Sequence, residues 1–147
     1  MQVMRYAVAL GAVIGLGAGG GAVAAQDAVS EADYEAAMKE LSYLANDASL
    51  HLEASYWGDL GEDTDKMRRE FAKVETFWKA QEQPEAVDLL GRAVEAARAV
   101  ARASGAQDRA AATSGLSDLR AACQACHAEF REETADGYRI KPSALKQ

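Results

Sequence analysis

Helical periodicity constrains this chain more than any other feature of it. Apolar or aromatic residues fall at Tyr34, Ala37, Met38, Leu41, Leu44, Ala45, Ala48, Leu52 and Tyr56, spacing that suits one face of a helix. Ser30 is placed to cap this first helix, with Asp33 three residues on completing a capping box. Gly58 and Gly61 are expected to end it, and acid-rich Asp59 to Asp65 to form the first connection. A second stripe runs Met67, Phe71, Val74 and Trp78, widened by Phe77. Glu82-Gln83-Pro84 should break it, because proline restricts the residue before it and suits a first helical turn. The third helix turns Val87, Leu90, Val94, Ala97 and Ala101 inward and Arg92, Glu95, Arg98 and Arg102 mostly outward, with Gly105 as its left-handed cap. Its alanines allow close approach of a neighbour. Asp108 or Thr113 starts a fourth helix with Leu116, Leu119, Cys123, Cys126, His127 and Phe130 inside, stopped by Ala135-Asp136-Gly137. A short tail with Tyr138, Ile140 and Pro142 follows, and no strand is expected. Four amphipathic helices on short connections pack by default as an antiparallel up-down-up-down bundle, so the expected fold class is all-α.

The last helix carries the pattern Cys123-Gln124-Ala125-Cys126-His127, the C-x-x-C-H signature of covalent haem c attachment. Each thiol adds across one haem vinyl group, and the adjacent imidazole supplies the proximal iron ligand. On a helix, residues three and four apart share a face, so both sulfurs and His127 can meet one flat macrocycle. A thioredoxin-like redox pair would need an α/β pattern, which is missing. A structural zinc site needs four ligands, yet the other histidine is His51 and no second cysteine pair exists. The expected cofactor is therefore one covalent haem c on the C-terminal helix. It consumes both cysteines and leaves none for a disulfide.

Residues 1–25 read as a signal peptide: Arg5 near the start, an apolar run from Tyr6 to about Ala24, and small residues Ala22-Val23-Ala24-Ala25 at the exit. A membrane anchor is the rival, since the run approaches spanning length. Its six glycines and small-residue exit suit cleavage better. Residues 26–147 then form the mature domain, exported to the periplasm and free of the membrane after cleavage. The full chain has 16 Lys+Arg and 23 Asp+Glu, and cleavage removes only Arg5, giving 15 − 23 = −8. Such a charge argues against nucleic acid or anionic lipid as partner and suits a partner protein with a basic docking patch.

The continuation Cys126-His127-Ala128-Glu129-Phe130-Arg131, near the C-terminus of a four-helix exported chain, resembles the class II cytochromes c, the cytochrome c-prime superfamily. In that family the haem helix is the last, and an aromatic-basic pair commonly follows the ligand histidine. Phe130-Arg131 matches the pair, and the resemblance implies that Arg131 lies near the proximal imidazole and tunes it. The bland alternative is a solvated arginine. Ala37-Met38-Lys39 resembles the Met-Lys pair of the methionine-ligated, low-spin branch, which implies Met38 as distal iron ligand. The alternative for Met38 is a core gap-filler, as Met67 is by the same periodicity. Many members carry an arginine one turn before the distal residue, able to pair with a haem propionate. Here Tyr34 stands there, which puts that pairing in doubt. The resemblance covers most of the mature chain in architecture, but its specific residues are confined to 123–131 and 34–39.

His51 lies 13 residues beyond Met38, roughly 20 Å along the same helix, so both cannot reach one iron. It reads as a solvated surface group. Phe77-Trp78 reads as a core or haem-wall contact. No acid–base or nucleophile set converges on the motif, so no catalytic residue and no enzyme is expected. The resulting expectation is an exported monohaem cytochrome passing single electrons between redox partners. A five-coordinate protein binding small gases such as nitric oxide, or a haem sensor or accessory subunit of a larger oxidoreductase, are the alternatives. Some relatives dimerise through their first two helices, so a homodimer is among the implied partners.

Overall fold

The computed structural model describes residues 28–146, so the leader expected over residues 1–25 lies outside the described residues. Four helices follow one another: α1 (Glu31–Ala54), α2 (Trp57–Ala80), α3 (Pro84–Ala106) and α4 (Arg109–Phe130). The expected bundle is present. Each helix packs along the next in sequence, whereas α1 and α4 touch only slightly. Leu60, Met67, Val74, Phe77, Trp78, Val100 and Leu119 are fully buried at its centre. At Gly115 the helices α3 and α4 come so close that an added Cβ would stand 2.8 Å from Val100 Cγ2.

The start of α1 is as the sequence requires. Ser30 Oγ accepts from the Asp33 amide and Asp33 Oδ2 accepts from the Ser30 amide, both at 3.1 Å, closing the capping box. Its end is not. Ser55 takes the left-handed conformation at φ 61°, and the Tyr56 amide donates to His51 O at 2.8 Å. Gly58, Gly61 and the acidic run Asp59 to Asp65 therefore belong to α2, which corrects the expected connection. The reason is packing: Leu60, Thr64, Met67, Phe71, Val74 and Trp78 are all buried and recur at intervals of four and three. Asp59 also sits in the first turn of α2, where the helix dipole favours a carboxylate.

Two further boundaries move for physical reasons. Gly105 lies inside α3, and Gln107 is the left-handed cap at φ 56°. Buried Ser104 donates from its hydroxyl to Trp57 O at 2.5 Å, which ties the last turn of α3 to the start of α2. The buried face of α3 runs through Ala86, Leu90, Ala93, Ala97, Val100 and Ser104, leaving Val87, Val94 and Ala101 half-buried at its edge. Asp108 caps α4 by accepting from the Ala111 amide at 3.0 Å. That helix ends at Phe130, earlier than expected. Two strands that the sequence did not suggest follow it: β1 (Arg131–Thr134) and β2 (Gly137–Ile140), an antiparallel hairpin pairing Arg131 with Ile140. Ala135-Asp136 makes the turn, and Gly137 takes φ 137°. The Lys141 amide donates to Phe130 O at 2.9 Å and closes the hairpin onto α4. A 3-10 turn at Pro142–Ala144 then lies on the α2–α3 connection, where Gln83 Nε2 donates to Ala144 O at 3.0 Å. Pro84 thus opens α3 as expected, and Pro142 opens the 3-10 turn of the tail.

Candidate functional site

On α4 the residues packed into the bundle are Ala112, Gly115, Leu116, Leu119 and Ala122. Cys123 and Cys126 continue that same face toward the end of the helix, four residues past Leu119 and Ala122, with His127 at its edge; all three are half-buried, and Phe130 is buried one turn below. On α1 the fully buried stripe is Tyr34, Ala37, Leu44, Ala48 and Leu52. Met38, Leu41 and Ala45 form a half-buried flank there, packed against the core. Both sets pack against the same core, and along the edge shared by α1 and α4 those two helices barely meet.

A cluster of rings closes one end of this edge. Tyr34 packs on Phe77 and Trp78 with centroids 4.5 and 5.5 Å apart, and Trp78 packs on Phe130 at 5.1 Å. Burial pushes the Tyr34 hydroxyl far above the usual phenol range, and the Cys126 thiol adds to this; the Trp78 N–H and the Arg131 charge work the other way. The phenol of α1 is thus within electrostatic reach of the thiol of α4. Trp78 Nε1 is buried and, among the described residues, closes no hydrogen bond of good geometry, although it stands close enough to the Tyr34 hydroxyl to act on it. A buried donor without an acceptor is costly and calls for an explanation, such as a partner supplied by a bound group.

Burial governs the three motif residues. It pushes the Cys126 thiol up to about 11, with the neighbouring Cys123 adding to the effect, and it raises Cys123 as well. It lowers His127, and the Arg131 charge lowers it further. The imidazole is therefore neutral at physiological pH, the form that ligates a metal. Two thiols, a neutral imidazole and an unpaired indole N–H, set in apolar surroundings, fit a haem. One consequence is measurable on the haem-free chain. With Cys126 near 11 instead of 9.0, its thiolate fraction at pH 8 falls roughly 100-fold. Alkylation of Cys126 should slow by about that factor relative to the urea-unfolded chain. Equal rates in both states would refute its burial.

Arg131 sits at the end of α4, where its amide donates to His127 O. The resemblance put it near the imidazole, and its charge does reach His127. Its guanidinium carbon lies 4.0 Å from the centroid of the Tyr138 ring, a contact the sequence reading missed. Asp136-Gly137 ahead of Tyr138-Arg139-Ile140 is a hairpin signal that could have found it. His51 is also corrected. It is half-buried and its Nδ1 lies 2.7 Å from Oδ2 of buried Asp63, joining α1 to α2. Met67 and the Phe77-Trp78 pair are core, as expected.

Among the described residues no group of three or more His, Cys, Asp or Glu side chains is placed to hold a metal ion. None of their helices is long and apolar enough to cross a membrane. No curated protein and no solved structure matches the chain. A family model described as Cytochrome C' matches residues 21–131, which takes in all four helices and the whole C-x-x-C-H motif. The chain belongs to the cytochrome c' family, whose membership implies a haem c cofactor.

Proposed function

We propose that this protein is an exported, periplasmic monohaem cytochrome that passes single electrons between redox partners. Cys123 and Cys126 tether the haem, His127 is its proximal ligand and Met38 its distal ligand. The observation that carries this reading is the C-x-x-C-H set, half-buried on the inward face of α4, with half-buried Met38, Leu41 and Ala45 of α1 packed against the same core. Bound there, the haem supplies a one-electron iron couple.

The chain's own residues do the rest. The His127 imidazole, kept neutral by burial, offers nitrogen to the metal. The Met38 thioether is a neutral, soft donor that favours ferrous over ferric iron and raises the potential. Two protein ligands in both oxidation states keep reorganisation on electron transfer small. Trp78 Nε1 and the Tyr34 hydroxyl offer donors to a carboxylate of the haem edge, in place of the arginine that many relatives carry. The charge of −8 after cleavage at residue 25, from 15 basic and 23 acidic residues, suits a redox partner with a basic patch.

The test is an intact mass and a pair of absorption spectra on protein made with the haem-attachment machinery. One added haem and low-spin spectra in both oxidation states are expected. A high-spin ferrous protein that takes carbon monoxide would remove Met38 from the iron and favour the gas-binding form. A mass without haem would remove the whole reading.

A further inference from the structure

Residues 132–146 lie beyond the stretch that the family model matches, and they build most of the hairpin and all of the tail. The register pairs Arg131 with Ile140 and Glu133 with Tyr138, which makes Arg131 and Tyr138 diagonal neighbours on one face of the hairpin. The Arg131 guanidinium carbon stands 4.0 Å from the Tyr138 ring centroid, well inside the range of a cation–π contact. Among the described residues no hydrogen bond or ion pair holds that guanidinium. Glu132, the hairpin acid nearest in sequence, is taken by Arg139 at 2.6 Å, and among the described residues Arg131 has no carboxylate within ion-pair distance. At its other end Arg131 is anchored one helical turn past His127, through its amide to His127 O.

We propose that Tyr138 is a positioning residue: its ring holds the Arg131 guanidinium beside the proximal side of the haem site, and the C-terminal hairpin thereby raises the haem's reduction potential. The proposal rests on the reading of Cys123, Cys126 and His127 as the haem-binding set. A fixed positive charge near the iron favours the ferrous state, which carries one positive charge fewer. Arg131 is itself exposed, so what the ring supplies is a fixed position, where a free guanidinium would spread its charge over many positions in water. Core packing does not explain the tyrosine, since Tyr138 is 62% exposed.

Redox titration of the haem-loaded protein tests this. Arg131→Gln lowers the potential. Tyr138→Leu lowers it in the same direction by a smaller amount, and Tyr138→Phe, which keeps the ring face, leaves it at the wild-type value. Adding Tyr138→Leu to Arg131→Gln produces no further shift, because the ring acts only through the guanidinium. An unmoved potential in Tyr138→Leu overturns the proposal, as does an equal shift in Tyr138→Phe or a further shift in the Arg131→Gln background. These outcomes are distinct from failure of the haem reading, which shows as a wild-type chain without haem mass.

Discussion

Met38→Ala converts the low-spin haem protein to a high-spin one, lowers its reduction potential and opens the iron to carbon monoxide. Methyl is too short to reach the metal, so the iron would lose its sixth ligand, the second that the protein supplies, and the weaker field would leave more of its d electrons unpaired. The potential falls because a soft, uncharged donor to ferrous iron has gone, by a sizeable part of the roughly 0.8 V that axial ligands span. Stability changes less, since Met38 is half-buried on its flank of α1. Met67 provides the contrast. It is 1% exposed in the middle of α2, so Met67→Ala costs about 2–5 kcal/mol of stability. Its spectrum stays low-spin, because Met67 belongs to the packed centre and not to the α1–α4 edge. Absorption and electron paramagnetic resonance spectra of the two variants separate a ligand from a core methionine. An unchanged spectrum in Met38→Ala would sink the assignment.

Much of this architecture is legible in the sequence, because apolar spacing of three and four has one economical explanation. The capping box at Ser30 and Asp33, the break at Pro84 and the cap at Asp108 are local chemistry that tertiary structure had no reason to override. The misreadings share a cause. Gly58, Gly61 and four acidic residues between Asp59 and Asp65 look like a loop one residue at a time. Yet Leu60 and Thr64 extend the Met67 stripe backward at unbroken intervals, and burial against α1 and α3 decides the matter. Glycine in a helix costs only about 1 kcal/mol, which packing on this scale outweighs. Gly105 repeats the lesson, with Ser104 bonded to Trp57 O. His51 looked solvated beside Asp47 and Glu53, but its partner Asp63 comes from the next helix, a fact that neighbours in sequence do not carry. For the site, the motif on α4 was readable by itself. What surrounds it, above all the joining of Tyr34, Trp78 and Phe130 from three helices, appears only once the chain is folded.

Trp78→Ala is expected to be among the most destabilising single changes in the protein, costing about 3–5 kcal/mol in a denaturant titration. The side chain is 0% exposed, and its removal leaves Tyr34, Phe77 and Phe130 facing a void. Trp78→Phe separates the ring from its N–H. In the haem-free chain the buried indole N–H has only the poorly aligned Tyr34 hydroxyl beside it, and an unsatisfied buried donor costs up to about 1–3 kcal/mol. Phenylalanine removes that penalty while losing part of the ring volume, so the two effects nearly cancel. Were a carboxylate of the bound haem to accept from this N–H, the same substitution would lose a charge-assisted hydrogen bond of about 1.5–3 kcal/mol in the haem-loaded protein. Trp78→Phe should therefore destabilise the loaded protein by more than the haem-free one. Equal losses in the two forms would mean that the indole is unpaired in both and has no part in holding the haem. A loss confined to the loaded form would tie the largest fully buried side chain among the described residues to the group held by the last helix.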